Sequence, residues 1–145
     1  MIVAPAITAL REHHPGLQLD IITSVRSLDI ARREADLAIR FARPSDSNLV
    51  CRKLGEVGYS LYATRGYLAR RGIPVRREGL GGHDLIMFTG TPDATSPFFL
   101  GESLDGARIA VRCDNPLIQL EAAAKGAGIA ELACFLGDQS VSRAD

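Results

Sequence analysis

Apolar residues recur at three- and four-residue intervals from Met1 to His14. Ile2, Val3, Ala6, Ile7 and Leu10 fall on one helical face, and Pro15-Gly16 closes the segment. The period then drops to two. Leu17, Leu19 and Ile21 alternate with Gln18 and Asp20, a strand pattern that stops at Thr23-Ser24. Ser27 to Glu34 predicts a short helix, with Ser27 at its N-cap and Asp29 in the favourable first turn. Leu37 to Phe41 predicts a second strand, with Leu37 to Ile39 buried. Helix-strand-helix-strand order with short connections points to parallel pairing through right-handed crossovers, hence to an α/β fold.

After Pro44 the pattern changes. Ser45-Asp46-Ser47-Asn48 reads as a polar turn, and Leu49 to Leu54 and Gly58 to Ala63 as two extended segments. Thr64 caps a helix over Arg65 to Arg71, closed by Gly72 and Pro74. Leu85 to Phe88 is a brief apolar strand ending at Thr89-Gly90. Thr91 to Ser103, with two prolines and no period, reads as a loop. Ile109 to Cys113 is a strand, and Asn115-Pro116 opens a helix as N-cap and first helical residue. That helix runs through Leu117, Leu120 and Ala124 to Gly126. Ile129 to Ala133 is the last strand, and Gly137 to Asp145 a polar tail with no anchor.

Composition narrows the function classes. The 145 residues, 46% hydrophobic and 23% charged, suit one ordinary domain or two small lobes sharing a hinge. A formal net charge of zero gives no global pull toward DNA or an anionic membrane. Three basic pairs remain, Arg32-Arg33, Arg70-Arg71 and Arg76-Arg77; the last two bracket a turn, lack the aromatic interleaving of a nucleic-acid surface and read as a solvated face. No apolar run approaches the ~20 residues of a membrane span. With no basic n-region or small-residue cleavage site at the N-terminus, a cytoplasmic location is expected. Cys51, Cys113 and Cys134 are widely spaced without a CxxC pair, which fits reduced thiols. His13-His14 and the remote His83 give no metal spacing, so neither a metal nor a cofactor is expected.

Catalytic patterns fail one by one. Gly101-Glu102-Ser103-Leu104-Asp105 lacks the second glycine of a nucleophile elbow. Gly126 and Gly128 follow a helix instead of opening one, and Glu131 stands where a dinucleotide loop needs its third glycine. No nucleophile, base and orienting group assemble, so no enzyme is expected. What remains is a set of strand ends and helix starts with small polar or cationic groups. Thr23 and Ser24 end one strand, and Arg40, Phe41 and Arg43 end the next. Asp114, Asn115 and Pro116 open a helix whose dipole and N–H groups favour an anion. In open parallel sheets such ends line the ligand crevice, and these donors suit a small carboxylate. Two plainer roles stand beside this one. Thr23-Ser24 also fits the cap of the next helix, and Arg40 and Arg43 also fit surface ion pairs with Glu34, Asp36 or Asp46.

The stretch EADLAIRFARPSDSNLVCRKLGEVGYSLYATRGYLARRGIP closely resembles the middle of the effector-binding domain of LysR-type transcriptional regulators. APAITALREHHPGLQLDI is similar to that family's first regulatory helix and second strand. GLGGHDLIMF resembles its L-x-x-H-D stretch, and DNPLIQLEAAAKGAGIAELACFL its third helix and following strand. The resemblance implies a two-lobed fold like the type 2 periplasmic binding proteins, with a small-molecule effector between lobes. Residues 1–44 would form part of the first lobe and residues 45–145 the second. It carries cleft positions onto Thr23, Ser24, Arg40, Phe41, Arg43, Asp114, Asn115 and Pro116, and adds Thr89. Promoter DNA would be reached only through a winged helix-turn-helix that these residues do not include. The fold is expected to be incomplete: the first regulatory strand and the C-terminal return elements have no counterpart here, and Ala133 stands where many members carry proline. An unpaired sheet edge then predicts a homodimer or higher oligomer. The alternative is a solute-binding protein of the same architecture acting in transport.

Overall fold

The computed structural model describes residues 3–24, 28, 30, 33–41, 48–90 and 98–141. Its elements run α1 (Ala4–His13), β1 (Tyr59–Tyr62), α2 (Arg65–Arg71), β2 (Asp84–Phe88), β3 (Phe98–Phe99), β4 (Glu102–Ser103), β5 (Arg108–Cys113), α3 (Pro116–Ala124), β6 (Ile129–Ala133) and α4 (Cys134–Val141). The main sheet has the order β1-β6-β2-β5. β2 is parallel to both β5 and β6, and β1 closes one edge antiparallel to β6.

The apolar run Leu85-Ile86-Met87 becomes a central strand because it is covered on both faces. Strand alternation sends Leu85, Met87 and Ile129 to one side, with Tyr67, Leu80 and Phe99. Ile86, Ala130 and Leu132 point to the other, against Ala123. Burying each of these large side chains is worth about 1.5–3 kcal/mol relative to leaving it exposed. α3 is the crossover between β5 and β6 and lies over β2 and β6. Gln119, buried on its inner face, donates from Nε2 to the Ile86 carbonyl at 3.1 Å and pins the helix to the strand beneath.

The GxG after α3 has a packing reason. Gly126 takes φ 77° where the helix ends, a conformation other residues disfavour. A Cβ at Gly128 would overlap the Asp84 carbonyl, so only glycine lets β6 approach β2 there.

Several expectations held in this half. The Thr64 hydroxyl caps α2 by accepting the Tyr67 N–H at 3.2 Å, and Asn115 caps α3. β2, β5 and β6 fall within a residue of their expected bounds. Other expectations need correction. Residues 98–103 are a hairpin, β3 with β4, instead of a loop, because Phe99 finds a place in the core. The expected free tail begins inside α4. Gly137 is buried against the Tyr62 ring, and Asp138 accepts the Tyr62 hydroxyl at 2.8 Å.

The first forty residues differ more. α1 forms, but it has no buried residue. Leu17 to Ile21 and Leu37 to Phe41 do not form strands. Leu37 is 76% exposed and Ile39 57%, so the expectation that they are buried is wrong. The physical reason is the absence of a ladder: a strand is held by paired neighbours and a covered face, and among the described residues neither segment has them. Leu49 to Leu54 likewise carries no strand. Half of the expected helix over Ser27 to Glu34 (residues 27, 29, 31 and 32) lies outside the described residues. Within it, the Arg33 N–H closes a turn onto the Ile30 carbonyl at 3.0 Å, with Arg33 at φ 60°.

Candidate functional site

β2 and β5 run parallel, so their carboxyl ends open on the same side of the sheet. Phe88 and Cys113 are register partners, and the Thr89 N–H donates to the Cys113 carbonyl at 2.8 Å. The chain leaves β5 through Asp114 and enters α3 at once. Thr89, Asp114, Asn115 and Pro116 are therefore brought together at one sheet end, all four exposed.

The start of α3 is largely self-satisfied. Asn115 Oδ1 accepts the Leu117 N–H at 2.9 Å and the Ile118 N–H at 3.4 Å, and its carbonyl accepts the Gln119 N–H at 3.1 Å. Pro116 has no N–H to offer. The helix amides expected to receive an anion are thus engaged by Asn115 itself. Beyond that cap, the exposed residues Thr89 and Asn115 carry a hydroxyl and a side-chain NH2 at the positive end of the helix dipole. Beside them, burial and to a lesser degree the Asp114 carboxylate push the Cys113 thiol above its ordinary pKa, so it stays protonated at neutral pH.

Of the other sequence-selected residues, Thr23, Ser24, Arg40 and Phe41 are exposed and lie in segments whose described residues form no strand. Arg40 donates from Nη2 to the Leu28 carbonyl, a bond that braces the turn between the two segments. Arg43 lies outside the described residues, as does Asp46, one of its suggested ion-pair partners.

A second polar cluster was not singled out for its chemistry. Asp84, at the start of β2, accepts Arg108 Nε at 2.6 Å on Oδ1 and Arg71 Nη2 at 3.1 Å on Oδ2. Its backbone N–H donates to the buried Tyr67 hydroxyl at 2.8 Å, which stands 3.4 Å from His83 Nδ1. Arg108 beside it holds the Asp84 carboxyl below the usual range, against the opposing effect of burial. This cluster ties α2, β2 and β5 together at the sheet end opposite Thr89. Its signal in the sequence was a His-Asp pair directly before an apolar strand. Gln119 was missed too; its signal was a lone amide on the helix's inner face.

Among the described residues no three His, Cys, Asp or Glu gather to hold a metal. No described helix is long and apolar enough to cross a membrane. A groove of about 470 Å³ runs between α1 and residues 15–21, with Ile7, Leu17 and Leu19 in its walls and Arg11 as its one charged lining residue.

This arrangement, a mixed sheet with its polar groups at the ends of parallel strands, has close counterparts. Residues 1–144 match the sequence profile of the LysR substrate binding domain, and the chain belongs to that family. An HTH-type transcriptional regulator from Xanthomonas campestris pv. campestris (strain 8004) is 32% identical over 116 residues, covering 80% of this chain and 34% of that protein. The HTH-type transcriptional regulator CrgA of Neisseria meningitidis serogroup C is 28% identical over 155 residues, covering 97% of this chain and 48% of CrgA. The chain thus spans between a third and a half of these relatives. The CrgA regulatory domain superposes with a TM-score of 0.78 at 24% identity, covering 99% of this chain and 71% of that domain. A variant AphB regulatory domain from Vibrio vulnificus gives the same TM-score at 19% identity, covering 99% of this chain and 73% of the other. The fold is the type 2 periplasmic-binding-protein-like fold of LysR regulatory domains. The matched curated proteins are transcriptional regulators, which are not enzymes, and the transport alternative finds no counterpart among them.

Proposed function

We propose that this chain senses a small carboxylate effector for a LysR-type transcriptional regulator, working in the cytoplasm as a homo-oligomer. The observation that carries the reading is the convergence of Thr89 and Asn115 at the carboxyl ends of adjacent parallel strands, beside the N-terminus of α3. Asn115 Nδ2 and the Thr89 hydroxyl would donate to the carboxylate, with Asp114 and Pro116 shaping the rim. Thr23, Ser24, Arg40, Phe41 and Arg43 would close the site from residues 1–44, the first lobe, against the second lobe of residues 45–145. Effector binding would favour one lobe and subunit arrangement over another, which a DNA-binding domain of the same regulator would read. Exposed apolar residues such as Ile21, Ile22 and Phe41 support self-association.

The test is a thermal-shift screen of small mono- and dicarboxylates on the wild type, Asn115→Asp and Arg40→Ala. Asn115→Asp keeps the capping oxygen but replaces the Nδ2 donor with negative charge, so it should fold normally and lose the carboxylate response. Equal responses from all three proteins would place the ligand elsewhere.

A further inference from the structure

The exposed side of α3 is polar or small beyond its first turn, at Glu121 and Ala124. The first turn breaks that pattern: Leu117 is 62% exposed and Ile118 51%. The helix takes its buried positions from Gln119 and Ala123 instead. Side chains on a helix tilt toward its N-terminus. Leu117 and Ile118 therefore lean toward the end of α3 where Asn115 stands, with Thr89 on the adjacent strand end. Large apolar exposure on this helix is confined to that end.

The same end carries a fixed negative charge. Asp114, one residue before the cap, is exposed and makes no ion pair with a described residue. The neighbouring Cys113 thiol already feels that charge, and donates weakly to the Asn115 carbonyl at 3.7 Å.

We propose that the effector is an amphipathic monocarboxylate, whose carboxylate meets Asn115 and Thr89 while a hydrocarbon body lies across Leu117 and Ile118. This narrows the ligand class of the carboxylate site proposed above and rests on that reading. A hydroxylated or amino-bearing body would set its polar groups against two side chains that offer no hydrogen bond. A second carboxylate at this end would meet the like charge of Asp114. Phe41, 79% exposed, would cover the body from the first lobe.

The test is a chain-length series on the 145-residue protein, with affinities from NMR amide titration: butanoate, hexanoate and octanoate beside the dicarboxylates adipate and suberate. Affinity should rise about two- to fourfold per methylene. Each dicarboxylate should bind several-fold more weakly than the alkanoate of its length, and Asp114→Asn should narrow that gap. In a Leu117→Gln, Ile118→Gln double variant, which keeps helix propensity, the octanoate-to-butanoate ratio should fall toward one. Alkanoates that move the Thr89 and Asn115 amides without any dependence on length overturn this inference and leave the carboxylate site standing. A length dependence that survives the double variant overturns it as well. If that variant also changes oligomer size by light scattering, the turn packs against a second copy instead of ligand. If no alkanoate moves those amides, the carboxylate site fails and the inference with it. The wild-type Leu117 and Ile118 methyl signals should move with octanoate; methyls that stay still overturn the inference even if the double variant folds poorly.

Discussion

Asp84 and Arg108 are register partners on adjacent parallel strands, and their side chains close the same pair with Nε 2.6 Å from Oδ1. The Arg108 N–H also donates to the carbonyl of His83 at 2.9 Å. Edge strand β5 is thus fastened to the core at its first residue, by backbone and side chain together. The pair gives the fold a defined acid sensitivity. Because Arg108 holds the Asp84 carboxyl below its usual range, its stabilisation is present in full above the ordinary aspartate value of ~3.9. It is lost as pH falls through the folded-state value. Asp84→Asn should lower the melting temperature at neutral pH and flatten its decline in acid. Melting curves that fall in parallel for both proteins would show that Asp84 is not the group responsible.

Gly137 lies so close to the Tyr62 ring that a Cβ would overlap it. Gly137→Ala should therefore destabilise the chain by about 1–3 kcal/mol through overpacking. Tyr62→Phe keeps the packing and loses the hydroxyl bond to Asp138, a change of about 0.5–1.5 kcal/mol. Urea unfolding of both variants checks the order.

The two side-chain caps should behave alike in stability and differently in binding. Thr64→Ala and Asn115→Ala each remove a cap and should lower stability by about 0.5–2 kcal/mol. Only the second removes a proposed ligand donor. Calorimetric titration with a carboxylate that stabilises the wild type should show unchanged affinity for Thr64→Ala and weakened affinity for Asn115→Ala.

Leucines in the two halves of the chain should differ sharply. Leu85 is fully buried, and Leu85→Ala should cost about 2–5 kcal/mol. Leu37 is exposed, and Leu37→Ala should stay within about 0.5 kcal/mol in this chain. Denaturant titration compares them directly.

That contrast also shows what could be read from the sequence. Local signals were sufficient where a partner strand or helix completes them. Thr64 and Asn115 announce their helices, and Leu85 to Phe88 and Ile129 to Ala133 announce buried strands. Leu37 to Ile39 carries as strong a strand pattern, yet pairing is a property of two segments and a run of residues encodes only one. The hairpin escaped detection because two-residue strands have no period, and α4 because a buried glycine and the Tyr62–Asp138 bond hold it. At the site, the residue types at Thr89 and Asn115 were legible. That Asn115 would spend its oxygen on the Leu117 and Ile118 amides was not, since capping and ligand binding draw on the same atoms.

The claim that Thr89 and Asn115 form the effector site is tested most directly by an NMR amide titration with the carboxylates that stabilise the chain. The amide signals of Thr89, Asn115, Leu117 and Ile118 should move together, and Asn115→Asp should abolish the movement. If those signals stay in place while residues around the groove at Ile7, Arg11 and Leu17 respond, the effector binds in that groove and Thr89 and Asn115 do not form its site.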